Sequence, residues 1–79
     1  MKVTVLVRPK QGIRDPQGET IAGALSGLGY PVADVRAGKV FDLEVEASDR
    51  AEAERLAGEM AERVLSNDLI EGFEVVIGG

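Results

Sequence analysis

Seventy-nine residues at 8.4 kDa, with a net charge of −5 and a pI near 4.6, describe one small acidic domain spanning 1–79. The chain has no Cys and no His, which removes thiol nucleophiles, disulfides, Cys/His zinc sites, haem or iron–sulfur ligation and every Ser–His or Cys–His relay. Acidity and a lack of Trp argue against nucleic acid, and no apolar run approaches the roughly 18 residues of a membrane span, so a cytoplasmic, non-catalytic role is expected.

The first element is Lys2-Val3-Thr4-Val5-Leu6-Val7-Arg8, where three valines alternate with polar residues. That is a strand with one apolar face. Asp15-Pro16-Gln17-Gly18 fits a type I turn, and equally a helix start with Asp15 as N-cap and Pro16 at the first helical position. Ile21, Leu25 and Leu28 recur at i, i+4, i+7 and predict a buried helical stripe that stops near Gly29 and Pro31.

From Val32 to Glu46 the pattern is β again, with Phe41, Leu43 and Val45 alternating against Asp42, Glu44 and Glu46. Ala37-Gly38-Lys39 interrupts this stretch and predicts a hairpin, a bulge or a sharp bend. Ser48 or Asp49 caps a second helix, with Ala53, Leu56, Ala57, Met60 and Val64 facing inward and Glu59 paired to Arg63 outside. Phe73–Ile77 supplies a last strand. The order predicts an α+β two-layer sandwich of ferredoxin-like type, with two helices on one face of a mostly antiparallel sheet. Its other face, carrying Leu6, Val40 and Val76, is too apolar to stay wet, which points to self-association or a docked partner.

A fold this small has an expected radius of gyration of about 12 Å. It has no room for a typical ligand cavity of roughly 300 Å³ or more, so a deep site has to form between chains. Charge is uneven: residues 1–40 carry net +3 and residues 41–79 carry net −8, an asymmetry able to steer a protein partner. Asp42, Glu44 and Glu46 share one strand face, but i,i+2 spacing spreads their oxygens over about 6.8 Å steps, so the face reads as solvated and not as a metal site. The loop from Lys10 to Gly18 runs into a helix N-terminus without matching any phosphate-binding fingerprint. Arg36-Ala37-Gly38-Lys39 offers two cations around a glycine, either as a solvated turn or as a basic hook for an acidic partner. No serine has a base to activate it.

The string Pro9-Lys10-x-Gly12-Ile13-x-Asp15-Pro16-Gln17-Gly18, followed by Leu28-Gly29-Tyr30, Val35-Arg36-x-Gly38-Lys39 and Asn67-x-Leu69-Ile70-Glu71-x-Phe73-Glu74-Val75, resembles the PurS family over nearly the whole chain. These are the small subunits of bacterial and archaeal phosphoribosylformylglycinamidine synthase. Arg14 and Asp68 depart from the commoner family pattern. The resemblance implies a non-catalytic subunit, dimeric or larger, that bridges a glutaminase subunit and a synthetase subunit and helps ammonia pass between them. ATP and magnesium are then used by the synthetase subunit, and this chain binds no cofactor by itself. Carried over residue by residue, the partner-binding candidates are Lys10, Asp15, Pro16, Gln17 and Gly18; Arg36, Gly38 and Lys39; and Asn67 and Glu71. An amino-acid-binding homodimer resembling the ACT domain is the alternative, since it shares the strand and helix order.

Overall fold

The computed structural model describes residues 1–78. Three antiparallel strands form one sheet: β1 (Lys2–Pro9) lies in the centre, flanked by β2 (Lys39–Glu44) and β3 (Glu71–Ile77). Val5 stands opposite Phe41 on β2 and Val75 on β3, so the alternating residues of all three strands share one face. The helices are α1 (Pro16–Gly27) and α2 (Arg50–Met60). The α+β class, the antiparallel sheet and the two helices are those the sequence indicates.

The sealed core is made of small residues. Val3, Val5 and Val7 of β1 are at most 2% exposed, and they pack with Val45 and with Ala53, Ala57 and Ala61, each fully buried. Alanine on the helix lets its backbone lie close to the valine face, with Phe41, Leu43, Leu56, Leu65, Val75 and Ile77 closing the margins. Asp49 caps α2 by accepting from the Glu52 amide at 2.8 Å, and Ser48 Oγ meets the Glu52 carboxylate at 2.6 Å.

The end of α2 departs from the expected helix. Residues Ala61–Leu65 form a wider turn, closed by the Ser66 amide donating to the Ala61 carbonyl five residues back at 2.9 Å. The extra residue per turn rotates the side chains beyond it about the helix axis. Leu65 therefore returns to the core, whereas Val64, predicted inward, is 80% exposed. The same rotation takes Arg63 off the i,i+4 track, and Glu59 pairs with Arg55 at 3.4 Å in place of Arg63.

The arm formed by α1 and the following segment is the largest departure. Ile21 is 38% and Leu28 75% exposed, so the stripe predicted to be buried is open within this chain. Only Gly18 of α1 is buried. Residues 30–38 run to Lys39 with no strand partner, although β structure is expected from Val32. Neither a hairpin nor a turn forms at Ala37-Gly38-Lys39: β2 starts at Lys39, and a Cβ at Gly38 would collide with the Val7 carbonyl oxygen. The radius of gyration is consequently 15.5 Å, and the molecule extends 50 × 27 × 14 Å.

Ala57→Leu should lower stability by about 1–3 kcal/mol through overpacking against β1, while Ala51→Leu on the exposed side of the same helix should change it by less than about 0.5 kcal/mol. Urea midpoints at one fixed protein concentration compare the two.

Candidate functional site

The three segments singled out from sequence meet at one end of the sheet. Asp15 is the centre of the junction. One carboxylate oxygen accepts from the Gly18 amide at 3.0 Å, which caps α1, and the other accepts from the Ala37 amide at 2.7 Å, which ties the returning chain to the helix start. A Cβ at Gly18 would collide with the Val35 carbonyl oxygen, so only glycine lets the return segment pass this close.

Arg36 acts from the other side. Its guanidinium donates to the Ile13 carbonyl at 3.0 Å and the Lys10 carbonyl at 2.8 Å, a fork that fixes the loop between β1 and α1. The basic hook expected from Arg36 and Lys39 is therefore divided. Arg36 turns back onto its own chain, whereas Lys39, its side chain 58% exposed, pairs at 3.7 Å with Glu71.

The third segment closes the junction. Asn67 accepts from the Leu69 amide at 3.1 Å, and the Glu71 carboxylate accepts from the Asn67 amide at 2.7 Å. Lys10 reaches across with its amide to the Ile70 carbonyl at 2.9 Å and with Nζ to the Asp68 carbonyl at 2.7 Å. Between these segments lies a cavity of about 170 Å³ whose lining includes Ile13, Pro16, Gln17, Gly38, Ile70 and Glu71. Pro16, Gln17 and Asn67 are exposed, as are Leu69 at 83% and Ile70 at 44%. All ten predicted residues thus belong to one patch, in which Asp15, Gly18, Arg36, Gly38 and the largely buried Glu71 hold the shape, while Lys10, Pro16, Gln17, Lys39 and Asn67 lie exposed. In the loop between β1 and α1, Arg14 pairs with Glu19 at 3.0 Å. Ile70 lies within the segment 67–71 that the resemblance marks, whereas Ile13 and Ala37 are absent from the candidates; they contribute through backbone atoms or packing, which leaves no residue-type signal.

Electrostatics at the patch centre on Asp15. The Gly18 amide first, then the Ala37 amide, and beside them the Arg36 charge, hold its carboxyl below the ordinary value of 3.8, against the opposing effect of burial.

A second feature lies along the outer edge of β2. An open groove of about 720 Å³ runs between β2 and α2, floored by Leu43, Val45, Leu56, Met60 and Val64 and rimmed by Asp42, Glu44, Glu46, Glu59 and Arg63. Among the described residues, no group of three or more carboxylates is placed to hold a metal ion, and no helix is long and apolar enough to cross a membrane.

The sequence matches a family model described as PurS, phosphoribosylformylglycinamidine (FGAM) synthase, over residues 2–79. It is 40% identical over 77 residues to the phosphoribosylformylglycinamidine synthase subunit PurS of Archaeoglobus fulgidus, covering 96% of both chains. The corresponding subunit of Bacillus subtilis is 42% identical over 73 residues, covering 91% of this chain and 86% of that one. The fold superposes on a chain in the structure of PurLQS from Thermotoga maritima with a TM-score of 0.86 and 37% identity, covering 95% and 93% of the two chains.

Asp15→Asn should lower the urea midpoint at pH 7. An unfolded aspartate ionises near pH 3.9, and the native group lies lower, so the stabilisation is complete above that pH and is lost as pH falls through the native value. The gap between wild type and variant should therefore narrow as pH falls below about 4, followed by denaturation at each pH.

Proposed function

The chain belongs to the PurS family, as a non-catalytic subunit of the ligase phosphoribosylformylglycinamidine synthase, and from that premise we propose that it bridges the glutaminase and synthetase subunits and assists ammonia transfer between them. The family match over residues 2–79 is the observation that carries this reading, and it decides against the amino-acid-binding alternative. A chain without Cys or His has little to offer as a catalyst but needs neither for an adaptor. Glutamine hydrolysis belongs to one neighbour, and ATP and magnesium use to the other. Ammonia released into neutral water is largely protonated and no longer nucleophilic, so excluding water along its route preserves its reactivity. Such a complex works in the cytoplasm.

The docking surface is the patch of Lys10, Asp15, Pro16, Gln17, Gly18, Arg36, Gly38, Lys39, Asn67 and Glu71. Its rigidity supports this assignment. A surface already fixed by internal hydrogen bonds loses little conformational freedom when a partner arrives.

The working unit is a homodimer formed by exchange of arms. The arm leaves Ile21, Leu28 and Tyr30 exposed, while the groove beside β2 leaves Leu43, Leu56 and Met60 accessible. A 12-residue helix is about 18 Å long, and the six-residue edge of β2 about 20 Å. The unpaired residues after α1 also match an unpaired strand edge, which favours strand addition. A second copy satisfies all three features with one contact, burying α1 where a second helix of the sandwich belongs.

Two measurements test the adaptor. Leaving this chain out of a reconstituted synthase should reduce glutamine-driven synthesis at least tenfold and leave ammonium-driven synthesis largely intact; equal rates with and without it overturn the reading. Lys39→Ala combined with Gln17→Ala should weaken assembly with the large subunits, read by sedimentation velocity, without changing the thermal midpoint.

A further inference from the structure

Three groups of contacts lock the base of the arm. Asp15 joins the α1 start to Ala37, Arg36 joins the return segment to Lys10 and Ile13, and Gly18 lets Val35 pass against α1. Beyond the first turn, α1 has no extensive packing against the sheet or α2. A rod of about 18 Å swings its far end by about 3 Å for a 10° rotation at its root. That displacement is enough to take Leu28 out of a complementary groove.

We propose that Asp15, Gly18 and Arg36 are positioning residues for self-association: they aim α1 and residues 30–38 in the separate chain so that a second copy meets an arm already set in direction. The proposal rests on the arm-exchanged dimer and assigns its pre-organisation to named groups. The two hydrogen-bonded residues act through geometry and not through net charge, since Asp15 and Arg36 are of opposite sign and each is spent on backbone groups of its own chain. Presetting the arm removes ordering that association would otherwise have to supply. It leaves the β1–α2 core untouched, because Val3, Val5, Val7, Ala53, Ala57 and Ala61 make no use of these groups.

Sedimentation equilibrium on the full chain, for wild type, Arg36→Gln and Gly18→Ala, tests this together with hydrogen exchange at Val3, Val5 and Val7. Both variants should raise the dimer dissociation constant at least tenfold while β1 amides keep their protection at concentrations where monomer predominates. Gly18→Ala is the steric control, since it moves the return segment without removing a charge. A dimeric wild type with both constants within twofold of it overturns the positioning role alone. Loss of β1 protection in step with dissociation also overturns it, because the residues would then support the whole fold. A wild type that stays monomeric up to millimolar concentration overturns the exchanged dimer and this proposal with it.

Discussion

The closeness of α2 to β1 governs the rest of the molecule. Three alanines facing three valines bring helix and sheet backbones near one another and seal a core with very small side chains. Such a core is dense but offers little apolar area, and burial scales with area at about 25 cal/mol per Å². The larger apolar residues lie at its margins or outside it: Leu43, Leu56 and Met60 along the groove, and Ile21 and Leu28 on the arm. A chain of this size meets its stability requirement by association more readily than by enlarging its own interior.

The polar residues that mark the family serve first as architecture. Asp15 and Arg36 address backbone amides and carbonyls, partners that are present whatever side chains a related chain carries. Their placement next to the exposed Gln17 and Lys39 means that the same junction shapes the docking patch and roots the arm. On the reading proposed above, contact with large subunits and contact with a second copy are built on one rigid block. Asp42, Glu44, Glu46 and Glu59 crowd the groove with Arg63 as its one basic residue, whereas Lys10, Arg36 and Lys39 balance Asp15 and Glu71 in the patch, so the two surfaces differ in charge as well as in shape.

Much of this was legible in the residue order. The valine alternation of β1 and the caps Asp15 and Asp49 depend on neighbours in sequence, and each lies where periodicity and capping preferences put it. Ile21, Leu25 and Leu28 predict a buried stripe that this chain leaves open, because periodicity reports which residues share a helix face and is silent on what lies against it. Ala37-Gly38-Lys39 left hairpin, bulge and bend undecided because the contact that shapes it, Gly38 against the Val7 carbonyl, joins residues far apart in sequence. Val64 was misplaced because one extra residue in the Ala61–Leu65 turn shifts the helical phase, and nothing in Ala-Glu-Arg-Val-Leu announces it. The residues of the proposed docking patch come from family resemblance, carried over one by one. Its internal wiring, above all the two-carbonyl grip of Arg36, required three dimensions.

The short 14 Å extent of the molecule has a consequence for any route that ammonia takes. One sheet and one helix fill that thickness with backbone and close-packed side chains. A water-excluding bore needs wall atoms on every side of its axis, and a slab two layers deep cannot supply them without dismantling its core. A conduit past this subunit must then be a gutter on its surface, roofed by a neighbouring chain. Its continuity would depend on how tightly the subunits are pressed together, and loosening the assembly by even the diameter of a water molecule would let it leak.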